Sequence, residues 1–202
     1  MARADDEQFG FHPLEEVGQV GVAVAPSGAA ALAGEGLAVA AEASVVAEPA
    51  GDGSAAVKTH DFLSQLDEAA VAQAIQQAES RTSGEIRVFV TTRQVEADDV
   101  IDRAASRFEK LGMSATQDRN AVLLYFAPRS QQFAIIGDQG VHEKFGSDLW
   151  QQIVSKMADE LRAGRFTEAV VGGISMAGDL LAHHFPRRID DRNELPDELD
   201  RE

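Results

Sequence analysis

The chain has 202 residues, of which 34 are acidic and 18 basic, giving a formal net charge of −16 at pH 7. Acidic residues occur along the whole length and no basic stripe interrupts them, which argues against nucleic acid or anionic lipid as a partner. The sequence contains no cysteine, so disulfides and thiolate-bound zinc are excluded.

Composition divides the chain into three segments. Residues 1–60 form an acidic arm rich in alanine and glycine, residues 61–186 carry the pattern of a folded domain, and residues 187–202 form an acidic tail. Within the arm, Val20–Ala50 has too few large side chains to offset the entropy of ordering. It is either a flexible arm or an alanine-rich helix that docks onto a partner. The tail is predicted to be disordered after Pro186, which cannot continue a helix.

The N-terminal sequence lacks the features of an export signal. The first ten residues, MARADDEQFG, are acidic where a signal peptide requires a basic region. Pro26, Glu35, Glu42 and Glu48 interrupt the most apolar stretch, whereas a membrane-spanning helix needs about 20 apolar residues with few charges. We therefore expect a cytoplasmic, soluble protein without a membrane span.

The first half of the folded domain is predicted to be helix, strand and helix. Ser64 is a candidate N-cap for a helix whose apolar residues recur at helical spacing. Residues 82–84 end this helix, and Glu85–Thr91 has the β-branched and aromatic content of a strand. A second helix is predicted to begin at Asp98-Asp99 and to end at Gly112, a typical C-terminal cap.

The second half is predicted to be a hairpin followed by two helices. Asn120–Ala127 is almost wholly apolar, as a strand covered on both faces is. A turn at residues 128–130 leads into a strand over Gln132–Gly137. Helices are predicted over Ser147–Arg162 and Thr167–His184.

The order of these elements indicates the fold class. A strand–helix–strand unit makes the first two strands parallel by a right-handed crossover, and the hairpin adds an antiparallel strand. Helices are then needed on both faces of the sheet. The sequence therefore predicts an α/β fold, a small three-layer α/β/α sandwich with a mixed sheet in the order helix-strand-helix-strand-strand-helix-helix.

Three motifs in this domain resemble a known family. They are TSGEIRV at Thr82–Val88, RNAVL at Arg119–Leu123 and FAIIGDQGVHEKFG at Phe133–Gly146, followed by a helix that contains Trp150. In this order and spacing, residues 61–186 resemble the TPM domain, named for a thylakoid-lumen phosphatase, a photosystem repair protein and a receptor-auxiliary protein. The closest likeness is to its short bacterial branch. The resemblance implies a phosphatase-like activity or an association with the LemA family of coiled-coil membrane proteins.

Three carboxylates are predicted to meet at one end of the sheet. The hairpin places Asp118 beside Asp138, and the parallel first strand brings Glu85 to the same end. Three hard oxygen donors suit Ca²⁺ or Mg²⁺, so these residues are a candidate metal site. The alternative is that they occupy turns and caps, as aspartates at strand ends commonly do.

Arg119 and His142 are the candidate catalytic residues near that end. A guanidinium holds phosphate well, and an imidazole is a general acid or base at neutral pH. The alternatives are an ion pair between Arg119 and a neighbouring carboxylate, and a structural position for His142 in a loop or first helical turn. The chain contains no GK[ST] following a glycine-rich loop, no GxSxG and no HExxH.

Two classes of function fit these features. The first is a non-catalytic binding or adaptor module that carries a divalent-cation site. Its partner would be a protein, for example one in a membrane-associated complex. The alternative, implied by the family resemblance, is a metal-assisted phosphatase-like hydrolase acting on phosphomonoesters. The lack of a recognisable nucleophile–base pair favours the binding module.

Overall fold

The computed structural model describes residues 44–46, 59–96, 99–145, 147–187 and 199–202, which form a mixed sheet packed between helices. The strands are β1 (Ser44–Val46), β2 (Ile86–Val90), β3 (Val122–Ala127), β4 (Gln132–Gly137) and β5 (Asp200–Arg201). The helices are α1 (Thr59–Gln65), α2 (Glu68–Glu79), α3 (Val100–Lys110), α4 (Gln139–Lys144), α5 (Ser147–Arg162) and α6 (Phe166–His184).

The sheet has the strand order β1-β4-β3-β2-β5. Strand β2 runs parallel to β3, with Ile86 opposite Val122, since α3 carries the chain back across the sheet. Strands β3 and β4 form an antiparallel hairpin in which Val122 lies opposite Gly137. Both pairings confirm the prediction. The starts of β2 and β3 and the end of β4 therefore lie together, at what we call the site end of the sheet.

Strand β3 shows why the fold has three layers. All six of its residues are buried, and their side chains alternate between the two faces of the sheet. Leu124 and Phe126 belong to the core formed with α2, α5 and α6, whereas Leu123 and Tyr125 pack on the opposite face with Phe108 of α3. This arrangement confirms the predicted α/β/α sandwich.

The N-cap of helix α2 lies three residues after the predicted one. Asp67 is the cap, and its side chain accepts a hydrogen bond of 3.0 Å from the backbone nitrogen of Ala70. Ser64 instead lies within the short preceding helix α1. Both residue types are good N-caps, so composition alone does not choose between them. At the end of α3 the predicted cap is confirmed, because Gly112 adopts a left-handed conformation with φ of 72°.

Helix α4 follows β4 directly and is not predicted from the sequence. Asp138 is its N-cap, with the side chain accepting a hydrogen bond of 2.7 Å from the backbone nitrogen of Gln139. The helix has six residues, too few for a periodic apolar pattern to reveal it. His142 and Lys144 therefore lie on a helix that leaves the site end of the sheet.

The last four residues differ from the predicted disordered tail. Asp200 and Arg201 pair in parallel with Phe89 and Val90 on the outer edge of β2. The buried Arg87 forms an ion pair with Asp200. A sheet edge and a buried guanidinium both need partners, which these residues supply. The prediction of disorder is therefore wrong for residues 199–202.

Part of the predicted arm also meets the sheet. Residues Ser44–Val46 form β1 and pair antiparallel with β4. The predictions for residues 1–43, 47–58 and 188–198 lie outside the described residues.

Helix α6 contains three glycines with different surroundings. A Cβ atom on Gly173 would lie 3.0 Å from Leu124 Cδ2 of the sheet, the close helix–sheet contact expected for a helical glycine. A Cβ atom on Gly178 would lie 2.5 Å from Ala78 Cβ in α2, whereas one on Gly172 would meet no atom within 4 Å.

Within the described ranges, no helix combines the length and apolarity that crossing a membrane requires.

The surroundings of Gly172 and Gly178 predict opposite effects of a glycine-to-alanine substitution within α6. We expect Gly172→Ala to raise the free energy of unfolding by about 0.5–1 kcal/mol, because alanine has the better helix propensity and the site has room. Gly178→Ala should lower it by about 1–3 kcal/mol, because Ala78 has no flexible side chain to move aside. Urea denaturation of both variants checks this, and equal stabilities would contradict the packing of α2 against α6.

Candidate functional site

The turn before β2 is joined to the segment that follows α6. Thr82 is almost fully buried, and its hydroxyl donates a hydrogen bond of 2.6 Å to the Phe185 carbonyl. The same hydroxyl accepts a bond of 3.0 Å from the backbone nitrogen of Gly84. The backbone nitrogen of Ser83 also donates to the Phe185 carbonyl, at 3.0 Å, and Thr82 forms an isolated antiparallel bridge with Pro186. These bonds hold the two segments side by side.

Two glycines permit close backbone approaches at the site end. A Cβ atom on Gly84 would lie 2.9 Å from Leu181 Cδ2 of α6. A Cβ atom on Gly140 would lie 2.6 Å from the Asp118 carbonyl oxygen and 2.7 Å from that of Arg119. Only glycine therefore fits at position 140, in the first turn of α4, because this turn packs directly on the residues before β3.

A cleft of about 360 Å³ lies where these segments meet. Its lining joins the turn before β2, the loop before β3, the end of α4 and the end of α6 through Ser83, Asp118, Lys144, His184, Phe185, Pro186 and Arg187. Lys144 and Arg187 are exposed cations, and Asp118 is the one carboxylate in that lining. The cleft is thus positively charged within a strongly acidic chain, and it suits an anionic ligand.

Ser83 is the central polar group of the cleft. Its hydroxyl lies 3.5 Å from Asp118 Oδ2, to which it donates, and it accepts a bond of 3.2 Å from Asn120 Nδ2. Asn120 is buried, so its hydrogen bond fixes the position of the Ser83 hydroxyl. A hydroxyl held in this way can bind an anionic oxygen by turning its hydrogen away from Asp118.

His184 supplies an imidazole to the cleft wall. Burial lowers the pKa of His184 below its ordinary value, and the nearby His183 and Lys144 lower it further. Its ring also packs on Phe145, with centroids 5.2 Å apart. At neutral pH the imidazole is therefore neutral, and its ring nitrogens offer one donor and one acceptor.

The predicted residues Arg119 and Asp138 form an ion pair. Asp138 is fully buried, and its Oδ1 accepts bonds of 3.0 Å and 2.9 Å from Nε and Nη2 of Arg119. The same oxygen caps α4 through Gln139. The guanidinium already supplies the positive charge that a cation would bring, so Asp138 fits an ion pair better than a metal site.

The remaining predicted residues do not gather around one point. Asp118 lines the cleft, Glu85 is buried at the start of β2, and His142 is exposed on α4 and is absent from the cleft lining. Among all residues that the structure describes, no group of three or more histidine, aspartate or glutamate side chains is disposed to hold a metal ion. Glu85, Asp118 and Asp138 are among these described residues. Binding of Ca²⁺ or Mg²⁺, and catalytic roles for Arg119 and His142, stay predictions.

Four cleft residues are not among the predicted site residues: Ser83, Lys144, His184 and Arg187. Ser83 and Lys144 lie in the TSG and HEK motifs, so a closer reading of the polar residues in those motifs would have found them. His184 and Arg187 become neighbours of Ser83 only through the long-range pairing of Thr82 with Phe185 and Pro186, which leaves no local signal.

The environment of His184 predicts a low titration midpoint. NMR titration of the His184 ring protons should give a pKa below the ordinary histidine value. Because folding lowers this pKa, the associated stability is lost as pH falls through the ordinary range toward the lowered value. Lys144→Met should move the midpoint upward, since it removes a neighbouring positive charge. A midpoint at or above that of a free histidine would contradict the burial of this ring.

The ion pair of Arg119 predicts a stability loss upon its removal. We expect Arg119→Gln to lower the free energy of unfolding by about 1–3 kcal/mol, because the buried Asp138 loses its charged partner. Arg81→Gln is the matched control, since Arg81 pairs with Asp179 where both side chains are about half exposed. The control should cost less than about 1 kcal/mol. Equal losses in chemical denaturation would show that the Arg119 pair has no special structural role.

Comparisons with known proteins agree with this architecture. A family model for the TPM domain matches residues 57–180. The NMR structure of the BA42 protein from the psychrophilic bacterium Bizionia argentinensis is similar, with 35% identical residues and a TM-score of 0.62. That likeness covers 72% of this chain and 96% of that chain. A comparison with curated proteins found no match. The matched span runs from just before α1 into α6 and includes the turn at Ser83, so the chain belongs to the TPM domain family.

Proposed function

We propose that the protein is a non-catalytic binding module whose cleft captures an anionic group, a phosphate or a carboxylate, carried by a protein partner. The observation that carries this proposal is the pair of cations Lys144 and Arg187, which line the cleft together with Ser83. Neither cation forms an ion pair with a residue in the described part of the chain. An anion entering the cleft would therefore gain charge-assisted hydrogen bonds without first breaking an ion pair.

Other cations of the domain show the contrast. Arg81, Arg119 and Arg165 each contact a carboxylate within 3.0 Å. In a chain with a net charge of −16, acidic partners are plentiful for any exposed cation. Two cations that pair with no carboxylate among the described residues, in one cleft with a hydrogen-bonded hydroxyl, have the features of a recognition site for a negative group.

The same geometry favours binding over catalysis. The guanidinium of Arg119 is engaged by Asp138, and His142 is absent from the cleft lining. The Ser83 hydroxyl lies 3.5 Å from Asp118, at the outer limit of a hydrogen bond, and Asn120 donates to it. A nucleophile needs a closer base to remove its proton. These contacts leave the hydroxyl as a hydrogen-bond donor that can turn from Asp118 to an anion, and they do not activate it as a nucleophile.

A phosphatase-like hydrolase is the second candidate. It is favoured by the presence of Ser83, Asp118 and a neutral His184 in one cationic cleft, and by the word phosphatase in the name of the matching family model. In that function Lys144 and Arg187 would hold the phosphoryl oxygens of a phosphomonoester. Asp118 would help to hold a Ca²⁺ or Mg²⁺ ion that polarises the phosphoryl group.

Titration with inorganic phosphate tests the proposal on the full chain. Isotope-labelled protein should show saturable NMR shifts at Ser83, Lys144 and His184, and bound phosphate should raise the pKa of His184. Lys144→Met and Arg187→Met should each weaken binding about fivefold or more, the loss of one charge-assisted contact. Lys156→Met is the control, because Lys156 pairs with Glu160 on α5 outside the cleft.

Absence of saturable shifts in the cleft, or an equal effect of Lys156→Met, would contradict the proposal. A chromogenic aryl phosphate with added Ca²⁺ or Mg²⁺ separates the two candidates. The binding module predicts no turnover above a metal-only control. Metal-dependent turnover that Lys144→Met abolishes, in a protein that remains folded, would establish the hydrolase instead.

A further inference from the structure

The outer edge of β2 carries a second concentration of positive charge. Arg87 projects from β2, Arg93 follows it in the chain, and Arg107 on α3 lies over the Phe89 ring at 4.1 Å from its centroid. None of these three residues lines the cleft. They surround a strand edge, where backbone groups are open to a further strand.

The chain's own last residues occupy this edge by strand pairing. The backbone nitrogen of Thr92 donates a hydrogen bond of 2.9 Å to the Glu202 carbonyl, and that of Glu202 donates one of 3.3 Å to the Val90 carbonyl. Asp200 lies opposite Phe89, and Arg201 lies opposite Val90. The pairing is short, so it provides only a few main-chain hydrogen bonds.

The side chains of this segment follow an alternating pattern. Asp200 pairs with Arg87, and Glu202 pairs with Arg107 and lies 3.7 Å from Arg93. Arg201, between them, points to the other face and contacts Glu68 of α2 at 3.2 Å. Carboxylates two residues apart are thus read by guanidinium groups on one face of the sheet, which is the periodicity of an extended strand.

Two features show that the site suits more than its present occupant. Among the described residues, only Asp200 and Arg201 pair with β2 on that side, opposite Phe89 and Val90. The Arg87 side chain is 6% exposed, and its Nε has no hydrogen-bond partner. A longer acidic strand would cover more of the edge and would keep the Arg87 guanidinium paired with a carboxylate.

We propose that the outer edge of β2 is a strand-addition site for an extended acidic segment of a partner protein, with carboxylates at alternate positions read by Arg87, Arg93 and Arg107. Residues Asp200–Glu202 are its internal competitor. Because Arg87 is buried, the site exchanges one acidic strand for another and does not stand empty. This surface is separate from the cleft, and neither proposal depends on the other.

The test uses the full chain and a fluorescent peptide with the sequence of residues 194–202, ELPDELDRE. The variant Asp200→Asn/Glu202→Gln weakens the internal competitor. It should bind the peptide about tenfold more tightly than the unmodified chain does, by fluorescence anisotropy. A peptide with the same two carboxylates changed to amides should bind about tenfold more weakly. Glu202→Gln alone provides a milder variant if the double variant does not fold.

Substitutions of the receiving arginines complete the test. Arg107→Gln, added to the weakened-tail variant, should abolish the preference for the acidic peptide. Arg162→Gln should preserve it, because Arg162 pairs with Asp159 on α5, away from this edge. Equal binding of both peptides, no binding by either tail variant, or equal effects of Arg107→Gln and Arg162→Gln would overturn the proposal. A concentration-dependent dimer of the unmodified chain that the tail substitutions abolish would assign the edge to a second copy and also overturn it.

Discussion

The Thr82 hydroxyl joins the two parts of the chain that form the cleft. It is buried, and both its donor and its acceptor capacity are used, by the Phe185 carbonyl and the Gly84 amide. Without it, the buried Gly84 amide would lose its partner, at a cost of about 1–3 kcal/mol, and the Phe185 carbonyl would keep only the bond from the Ser83 amide. The turn before β2 and the segment after α6 then face each other, which brings Ser83 to the same cleft as His184. The candidate site is therefore a consequence of how the sheet and the last helix are connected.

The allocation of positive charge underlies the two proposed binding surfaces. Arg119 is used internally, since it neutralises the fully buried Asp138 where the sequence suggested a cation. Lys144 and Arg187 line the cleft and pair with no carboxylate among the described residues. Arg87 on β2 is paired with Asp200 on the edge strand β5. Most of the surface of so acidic a chain repels a negative partner. Exposed or exchangeable cations therefore mark the places where such a partner is attracted. Recognition of anionic groups, in the cleft and along a strand edge, accounts for both surfaces.

The sequence predicts the scaffold better than the site, for physical reasons. The apolar run Val122–Ala127 indicates a strand buried on both faces, and the turn after it indicates the hairpin, because both signals are local. The pair of Arg119 with Asp138 follows from that hairpin and was among the predicted alternatives. The meeting of Ser83 with His184 depends on contacts between distant segments, and the two-residue strand β5 is too short for any periodic signal.

One substitution tests the dependence of the cleft on its junction most directly. Thr82→Val keeps the size of the side chain and removes the hydroxyl, and Thr91→Val does the same at a residue equally buried near the far end of β2. The account predicts that Thr82→Val loses about tenfold or more in phosphate affinity, that Thr82→Ser restores it, and that Thr91→Val retains it. A folded Thr82→Val protein that binds phosphate as tightly as Thr91→Val would contradict the account.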